Sequence, residues 1–543
     1  MKSEKLLSVN QILLLYLGFF VVYVLGLFVP LMENDSAQHA TMAMKMALQN
    51  DFLNIYKGEN PYLDKPHLHF WLSALSMKFF GINHIAYRIP AFLCIALGAF
   101  STKKLAHLLY ENSNLSFAAS LIFLSAQTII LSAHDVRTDA VLTGFVIFAL
   151  WQIIAFIKTN KIKYAVLGGL ATAFAFSSKG LMGFVIIGFC VLAYLLYSRE
   201  WKRIFNFKTL LFFVCFFVGL LPILYAYHRQ FGVDGIKFIL LGQSVDRMTG
   251  NGFAANNSDY FFFFHTLLWV FMPFSLLFYT GVFKKTVEFF KIKFKIIEGK
   301  EFLSLGGFWL VMLVFSASTF KLPHYLNGLI AVLSIFTAAF LFEESFKKKV
   351  KLIKVLYAIQ VFVFCAGTVV VGLLAWYFTE VYNVYFFIIS VVLFAFLFLY
   401  RVFAKENIFK KFLVNSLFFS IAINVFLNSQ FYPKLTQFQG GLQLAEFVNE
   451  NKIPKNRIFM LTNNETWSFD FYTQQNTDRV EVNELKKGDY LVIYDEQLQY
   501  LKKNFKVIAT KNHYRITRLS LKFLNPETRT HQLKKIYLVQ ILN

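Results

Sequence analysis

Residues 12–31 read ILLLYLGFFVVYVLGLFVPL, a run of twenty residues without a charged side chain. An α-helix needs about 20 apolar residues to cross the hydrocarbon core of a bilayer, so this run predicts a membrane-spanning helix. It lacks the small-x-small cleavage site of a secretory signal peptide, and we therefore expect it to remain as an anchor. Hydrophobic residues make up 57% of the 543-residue chain and 68 residues are Phe. This composition indicates a polytopic membrane protein.

Similar apolar runs recur along the chain and predict about thirteen spans in total, of which the run 164–176 is the shortest. The runs are 12–31, 88–109, 115–133, 140–157, 164–176, 181–197, 209–227, 260–283, 302–318, 324–342, 355–378, 384–400 and 412–428. We therefore predict a mainly α-helical membrane domain over residues 1–430.

The chain is basic, with 54 Lys and Arg against 31 Asp and Glu, a formal net charge of +23. The surplus falls in alternate loops, which is the pattern of the positive-inside rule rather than of nucleic-acid binding. No nucleic-acid partner is expected. The rule predicts a cytoplasmic N-terminus, and an odd number of spans then places the C-terminal tail outside. The basic regions are 2–5, 103–104, 158–163, 199–208, 284–300, 347–354 and 401–411.

Apolar runs end near residue 430, and the remaining residues, 431–543, carry shorter patterns of strands and helices. LQLAEFVNENK predicts a helix, whereas RIFMLTN, DYLVIYD and FKVIATK predict strands. We expect a small soluble α/β domain on the periplasmic side. Two long outer loops, 32–84 and 229–258, are predicted to face the same side. The membrane half shows no internal repeat, which disfavours a transporter built on inverted repeats.

Carboxylates occur at two predicted membrane boundaries on the outer side. Asp35 follows the first span, where it is either a helix cap or a functional carboxylate at the interface. Asp135, Arg137 and Asp139 cluster in HDVRTDAVL, where a structural salt bridge of Arg137 is the alternative to a functional site. Asp139 is predicted to face the same chamber as Asp35.

Several cations lie on outer loops that are otherwise poor in positive charge: Lys65, Lys179, Arg247 and Lys321. Such a set favours an anionic ligand, and SSKG around Lys179 suits a phosphate. Histidines on this side show no metal-binding spacing, and packing is favoured for His67 and His69. A divalent metal that bridges Asp64 to the loop at Gln243 stays open as an alternative.

The order of these motifs resembles the phospholipid-carrier-dependent glycosyltransferases of the GT-C superfamily. Within it the chain is similar to bacterial aminoarabinose transferases that modify lipid A and to protein O-mannosyltransferases. The resemblance covers about residues 10–345. It departs from the usual Asp-Glu pair at Asp35-Ser36, and from Glu-Lys-Pro-Pro at Asp64-Lys65-Pro66-His67. The motifs are Asn34-Asp35, Asp64-Lys65-Pro66 followed by FWLSALSMKFFGINHIAYRIPAFL, VRTDAVL, SSKGLMGF and STFKLPHYLNGLIAVLS.

The resemblance implies that Asp35 is the principal catalytic carboxylate and Asp139 a second acidic site residue. It implies that Lys65, Lys179 and Arg247 hold the phosphate of a polyprenyl carrier, and that Asp64 contributes to a metal or to a loop-bridging contact. Further candidate site residues are Arg137, Lys321, His324 and Tyr325.

The predicted function is transfer of a sugar, with inversion, from an undecaprenyl phosphate carrier to a lipid A or lipopolysaccharide acceptor. The reaction is expected at the periplasmic face of a bacterial inner membrane, among membrane lipids and with no required cofactor. Transfer to protein or to another surface glycan is the alternative within the same class. A lipid or glycan transporter is the alternative from a different class.

Overall fold

The structure, a computed structural model, describes residues 6–33, 35–249, 259–379, 405–462 and 466–543, together with positions 384, 388, 391 and 395. The predicted span 384–400 and Asn34 therefore lie wholly or mostly outside the described residues. The helices up to position 379 are α1 (Val9–Leu27), α2 (Asp35–Gln49), α3 (Leu68–Phe80), α4 (His84–Tyr110), α5 (Ser113–Ser125), α6 (Gln127–His134), α7 (Asp139–Thr159), α8 (Ile162–Lys179), α9 (Leu181–Ser198), α10 (Phe207–Lys237), α11 (Gln243–Thr249), α12 (Phe262–Val270), α13 (Ser275–Lys291), α14 (Leu303–Ala317), α15 (Asn327–Phe342), α16 (Glu344–Lys347) and α17 (Val350–Leu373).

Eight helical segments within the described residues are long and apolar enough to cross a membrane, or nine if α5 and α6, bent by 57°, form one span. This count is lower than the thirteen apolar runs, although the mainly helical membrane fold is confirmed. The segments are Val9–Leu27, His84–Tyr110, Asp139–Thr159, Leu181–Ser198, Phe207–Thr249, Pro323–Phe342, Val350–Phe378 and Ile408–Thr436.

Three predicted spans do not appear as single membrane-spanning helices, because the apolar character of a run does not by itself determine the length of the helix. The run 260–283 is divided between α12 and α13, and the run 302–318 forms the 15-residue helix α14. At 1.5 Å per residue, α14 is about 22 Å long, less than the hydrocarbon thickness of about 30 Å.

The short run 164–176 lies inside α8. Helix α8 packs closely on α10, where a Cβ at Gly169 would collide with the carbonyl oxygen of Phe212.

The predicted outer loop 229–258 is mostly helix. Helix α10 continues through a π-helical turn at Phe238–Gly242 into α11, giving a 43-residue segment that ends at Thr249. The break in this segment is at Gly232, whose φ of 65° lies in the left-handed region that favours glycine. The helix thus places Gln243 and Arg247 at a fixed position above the membrane domain rather than on a loop.

The C-terminal region contains a five-stranded mixed sheet in the order β4-β3-β5-β7-β6. Strand β3 pairs in parallel with β4 and β5, whereas β7 pairs antiparallel with β5 and β6. Strands β3, β5 and β6 coincide with the three predicted strands, so the expected small α/β region is confirmed. The elements from position 405 onward are α18 (Ile408–Phe426), α19 (Tyr432–Thr436), α20 (Gly440–Glu450), β3 (Ile458–Leu461), α21 (Trp467–Thr473), β4 (Asp478–Val480), β5 (Tyr490–Tyr494), α22 (Asp495–Leu498), β6 (Phe505–His513), α23 (Leu521–Leu524), α24 (Pro526–Arg529) and β7 (Lys534–Ile541); β1 (Tyr56–Lys57) and β2 (Asn60–Pro61) form a small hairpin in the first outer loop.

The C-terminal region holds the segment that joins α1 to α2. The Glu33 carboxylate accepts hydrogen bonds from the backbone N–H groups of Trp467 at 2.8 Å and Ser468 at 3.2 Å. Leu31 is fixed from both sides, because its N–H donates to the Tyr472 hydroxyl and its carbonyl accepts from the Gln439 amide. The start of α2 is therefore positioned by residues more than 400 positions away in sequence.

The contribution of the buried Glu33 side chain to the stability of the fold is expected to depend on pH. Burial raises the pKa of Glu33 to about 7, against the opposing effect of its hydrogen bonds. Because this value exceeds the ordinary 4.5, the stabilisation is complete below about pH 4.5 and is lost as pH rises through about 7. We expect the Tm of the full chain, followed by tryptophan fluorescence, to fall between about pH 5 and pH 8. The fall should be smaller in Glu33→Gln; equal falls in both proteins would contradict this account.

Candidate active site at the outer helix ends

A buried arginine ties together the outer ends of the helices that carry the site. Arg88, which is fully buried near the start of α4, donates to the carbonyl oxygens of Leu27 at 3.1 Å and Pro30 at 3.2 Å. It also donates to the carbonyl of His134, at the end of α6, at 2.7 Å. Last-turn carbonyls lack partners within their own helix, and a guanidinium can satisfy several of them at once. The segments before Asp35 and before Asp135 are thereby held side by side.

Asp35 contacts the HDVRTDAVL segment through Arg137. Asp35 is the first residue of α2, and its carboxylate lies 3.3 Å from an Arg137 nitrogen. Arg137 also pairs with Asp135 at 3.2 Å, so one guanidinium faces two carboxylates. The side chain of Asp35 is 45% exposed, which leaves it open to a substrate. We call Asp35, Asp135 and Arg137 the acidic cluster.

Asp139 and Lys179 form a buried ion pair between the first residue of α7 and the last residue of α8. Their charged atoms are 2.5 Å apart and each side chain is at most 3% exposed. The Lys179 ammonium also lies 4.9 Å from the centre of the Tyr325 ring. Tyr325 in turn hydrogen-bonds the Arg247 side chain. Asp139 is therefore linked to Arg247 on α11 through Lys179 and Tyr325.

Asp64 lies between two cations. Its carboxylate is 2.6 Å from Lys65 Nζ and 2.8 Å from an Arg247 nitrogen, and the Gln243 amide donates to it at 3.2 Å. Burial alone would raise the pKa of Asp64, but Lys65 and Arg247 hold it below its usual value. Burial and then the Arg247 charge lower the pKa of Lys65, although Asp64 opposes this shift. We call Lys65, Lys179 and Arg247 the cationic cluster.

The same geometry decides between the two roles left open for Asp64. The residue bridges its loop to the long helix through Gln243 and Arg247, while both carboxylate oxygens already contact cations. Across the described part of the chain, no three His, Cys, Asp or Glu side chains are grouped as a metal would require. This donor set does not fit a divalent ion, and we derive no step through one.

An apolar groove adjoins the cationic cluster. It encloses about 90 Å³ and is lined in part by Lys179, Arg247 and Tyr325. The rest of its lining is the apolar side chains Leu181, Met182, Val185, Met248, Val314 and Phe315, together with the polar Gln243, Ser244 and Ser318. A groove that combines cations with mostly apolar walls suits a phosphate attached to a hydrocarbon chain.

His39 is a central residue that the sequence analysis missed. It lies one helical turn after Asp35 on α2 and is 3% exposed. Burial lowers its pKa to about 3; Lys65 and Arg137 act in the same direction, and Asp64 and Asp139 oppose. His39 is thus neutral and lies within electrostatic range of both the acidic and the cationic cluster. The spacing of four from Asp35 could have identified it, because such residues share a helix face.

The remaining candidates lie at different distances from this centre. His324, just before α15, is within electrostatic range of Lys179 and Asp139. Lys321 instead lies over the Tyr260 ring at 5.5 Å and near Asp259. His67 and His69 are packing residues, as expected, with ring nitrogens bonded to the Leu53 carbonyl at 3.0 Å and the Tyr87 hydroxyl at 3.1 Å.

Comparisons with known proteins find a family model and several relatives that match parts of this chain. Residues 64–226 match the family model of dolichyl-phosphate-mannose-protein mannosyltransferase. The undecaprenyl phosphate-α-4-amino-4-deoxy-L-arabinose arabinosyl transferase 2 of Proteus mirabilis is 22% identical over 367 residues, 66% of this chain and 64% of that protein. The corresponding transferase of Photorhabdus laumondii is 22% identical over 64% of this chain and 62% of its own length. The chain thus spans slightly less than two thirds of these relatives.

A solved structure resembles the chain over nearly its whole length. ArnT from Cupriavidus metallidurans, bound to undecaprenyl phosphate, superposes with a TM-score of 0.74 at 16% identity and covers 98% of both chains. A likeness at this identity is a likeness of fold. The fold that the ordered motifs indicated is thereby confirmed: this multi-pass membrane protein has the fold of ArnT, and its residues 64–226 match the mannosyltransferase family model.

Proposed function

We propose that the chain is a glycosyltransferase that moves a sugar from a polyprenyl phosphate carrier to a lipid A type acceptor. The reaction takes place at the periplasmic face of a bacterial inner membrane, with the N-terminus in the cytoplasm and the region 431–543 outside. The names of the relatives support an undecaprenyl phosphate-linked donor.

One observation carries this proposal: two clusters of opposite net charge lie close enough to His39 that members of both act on its charge. In the cationic cluster, three cations face the carboxylates of Asp64 and Asp139, which leaves one positive charge. In the acidic cluster, two carboxylates face one guanidinium, which leaves one negative charge. Breaking the bond between a sugar and a phosphate separates these same charges. The sugar carbon becomes positive while the departing phosphate gains negative charge.

The proposed roles follow from this division. Lys65, Lys179 and Arg247 bind the carrier phosphate and stabilise it as the leaving group. Asp35 faces the reacting sugar and acts as general base when the acceptor is a hydroxyl group. The acceptor oxygen bonds to the anomeric carbon as the carbon–phosphate oxygen bond breaks, and the acceptor proton passes to Asp35. In-line attack opposite the leaving phosphate gives inversion. A phosphate acceptor needs no such deprotonation, and Asp35 then only stabilises charge.

The position of the charged groups favours an enzyme over a transporter. Coupling residues of transporters lie near the bilayer midplane. Here Asp35 and Asp139 are the first residues of their helices and Lys179 is the last residue of α8. Transfer to protein or another glycan remains the second candidate within the same reaction class.

The proposal is tested by reconstitution of the full chain in nanodiscs. Undecaprenyl phosphate-linked aminoarabinose and lipid A are supplied, and the product is identified by mass spectrometry. Lipid A whose mass has increased by one sugar residue is expected. Hydrolysis of the donor without transfer, or sugar found only on protein, would reject the lipid A acceptor.

Removal of a cation from the cationic cluster should weaken donor binding. Arg247→Gln and Lys65→Gln each delete one charge-assisted contact to the phosphate, so we expect the KM for the donor to rise about 10-fold or more. Lys237→Gln is the matched control, because Lys237 lies on the same long helix with a 73% exposed side chain. A KM change of equal size in Lys237→Gln would assign the effect to general surface charge.

A further inference from the structure

A second cavity lies in the C-terminal region, directly behind the segment that carries Asp35. It encloses about 280 Å³, close to the roughly 300 Å³ at which small-molecule pockets begin. Its walls are formed by Glu33, Trp467, Tyr494, His513 and Arg515. Glu33 is two residues before Asp35, so their Cα atoms are separated by at most about 7 Å. The cavity therefore adjoins the proposed active site without being part of either charge cluster.

Two of its side chains carry polar groups without a hydrogen-bond partner among the described residues. Arg515 is exposed and has no ion-pair or side-chain hydrogen-bond partner among the residues the structure describes. His513 has a buried Nδ1 atom that, within the same described ranges, lacks a hydrogen-bond partner. Burial also lowers the pKa of His513 to about 4, so its ring is neutral and can exchange a hydrogen bond with a polar ligand.

The C-terminal segment that supplies His513 and Arg515 to the cavity is rich in positive charge. Residues 501–543 contain ten Lys and Arg but only one acidic residue, Glu527. Such a surplus is unusual on the proposed outer side of a membrane protein, where the positive-inside rule predicts few cations. The membrane topology does not require this surplus of Lys and Arg, and an anionic ligand explains it. The walls also supply acceptors and hydroxyls, in Glu33 and Tyr494, that suit the hydroxyl groups of a sugar.

One wall residue of the cavity, Ile516, belongs to a buried apolar cluster with Phe523 and with Phe378, the last residue of a candidate membrane span. Arg529 donates to the Tyr377 carbonyl and Phe523 packs on Phe378, both at the outer end of the span Val350–Phe378. Beside Arg515, Leu519 is 45% and Leu521 85% exposed. Exposed leucines next to cations are typical of a segment in contact with a lipid surface. A ligand anchored by acyl chains could thus reach the cavity with its head group.

We propose that this cavity binds the phosphorylated sugar of a glycolipid, with its phosphate at Arg515 and His513, and so holds the acceptor next to Asp35. The inference rests on the proposed function, since it names how the acceptor is recognised. It assigns Arg515 to acceptor specificity, apart from the cations that hold the carrier.

The test compares two single-charge deletions in the C-terminal region, Arg515 just after the end of β6 and Lys506 on β6. Arg515→Gln removes the proposed phosphate contact, whereas Lys506→Gln removes an exposed charge seven residues before His513 on β6, about 23 Å away. Binding of bis-phosphorylated lipid A to the full chain in nanodiscs is measured. Arg515→Gln should raise its Kd about 10-fold and Arg515→Lys should recover part of the affinity. Lys506→Gln should stay within about twofold of the unchanged chain.

Competitors identify the chemistry that is recognised. Lipid A lacking the phosphates should bind the unchanged chain as weakly as the intact lipid binds Arg515→Gln. Phosphatidylglycerol and inorganic phosphate should compete poorly, because neither offers both a sugar and a phosphate. Equal competition by phosphatidylglycerol would overturn the sugar component, and equal loss in both charge deletions would overturn the site.

Failure of the proposed acceptor cavity can be distinguished from failure of the proposed glycosyltransferase activity. If sugar transfer occurs but Arg515→Gln leaves the KM for the acceptor unchanged, the cavity inference fails alone. If Arg515-dependent lipid A binding is found without any sugar transfer, the proposed function fails and the binding site stands. In a transferring protein, the expected change is an increase of about 10-fold in acceptor KM with kcat within about twofold.

Discussion

Asp35→Asn is expected to reduce sugar transfer by about 10² to 10⁴-fold while the protein stays folded. The substitution keeps the size of the side chain but removes the base and the negative charge that face the reacting sugar. Folding should be retained, because Asp35 is 45% exposed and Arg137 keeps its second partner, Asp135, at 3.2 Å. The measurement is the initial rate of product formation in nanodiscs at saturating donor and acceptor.

Asp234→Asn is the control for this variant. Its carboxylate is 90% exposed and pairs only with Lys237 among the residues the structure describes, so the same chemical change there should leave the rate unaltered. Donor affinity in Asp35→Asn should also stay near the original value, because the phosphate is assigned to the cationic cluster. A rate within twofold of the unchanged chain would remove Asp35 from catalysis.

The fold class could be predicted from sequence because one physical requirement governs it. An apolar run of about 20 residues has few alternatives to a membrane-spanning helix. Helices α1 and α7 both coincide closely with the apolar runs 12–31 and 140–157 that predicted them. The prediction of a loop at residues 229–249 was wrong, because a helix can extend beyond the membrane span that it contains. Residues 229–249 carry polar side chains that indicated a loop, yet a polar segment can continue a helix beyond the bilayer.

The site was predicted residue by residue but not in its connections. Asp35, Lys65, Asp139, Lys179 and Arg247 stood out because charge at a membrane boundary is costly without a purpose. Their partners could not be read from sequence, since Arg247 and Asp64 are 183 positions apart. His39 was missed for a different reason: on α2 it is one polar residue among several, and only its spacing of four from Asp35 pointed to it before its electrostatic contact with both clusters was seen.

The Asp139–Lys179 pair gives the second large expected effect, on stability. Both side chains are at most 3% exposed and their charges are 2.5 Å apart. Removal of one partner leaves a buried charge without compensation, which costs about 3 to 5 kcal/mol. We therefore expect Lys179→Met and Asp139→Leu each to lower thermal stability strongly. The double variant should recover most of the loss, because no charge is then left buried. Thermal unfolding in nanodiscs, followed by tryptophan fluorescence, is the measurement.

Activity of the double variant separates a structural pair from a functional one. If Lys179 binds the carrier phosphate, as its place in the lining of the apolar groove indicates, the stable double variant should bind donor about 10-fold more weakly or worse. Lys347→Met is the control, since that lysine pairs with Glu344 near the predicted cytoplasmic face. Return of full donor affinity together with stability would show that the pair only holds α7 against α8. Loss of affinity despite recovered stability would place Lys179 among the groups that hold the phosphate.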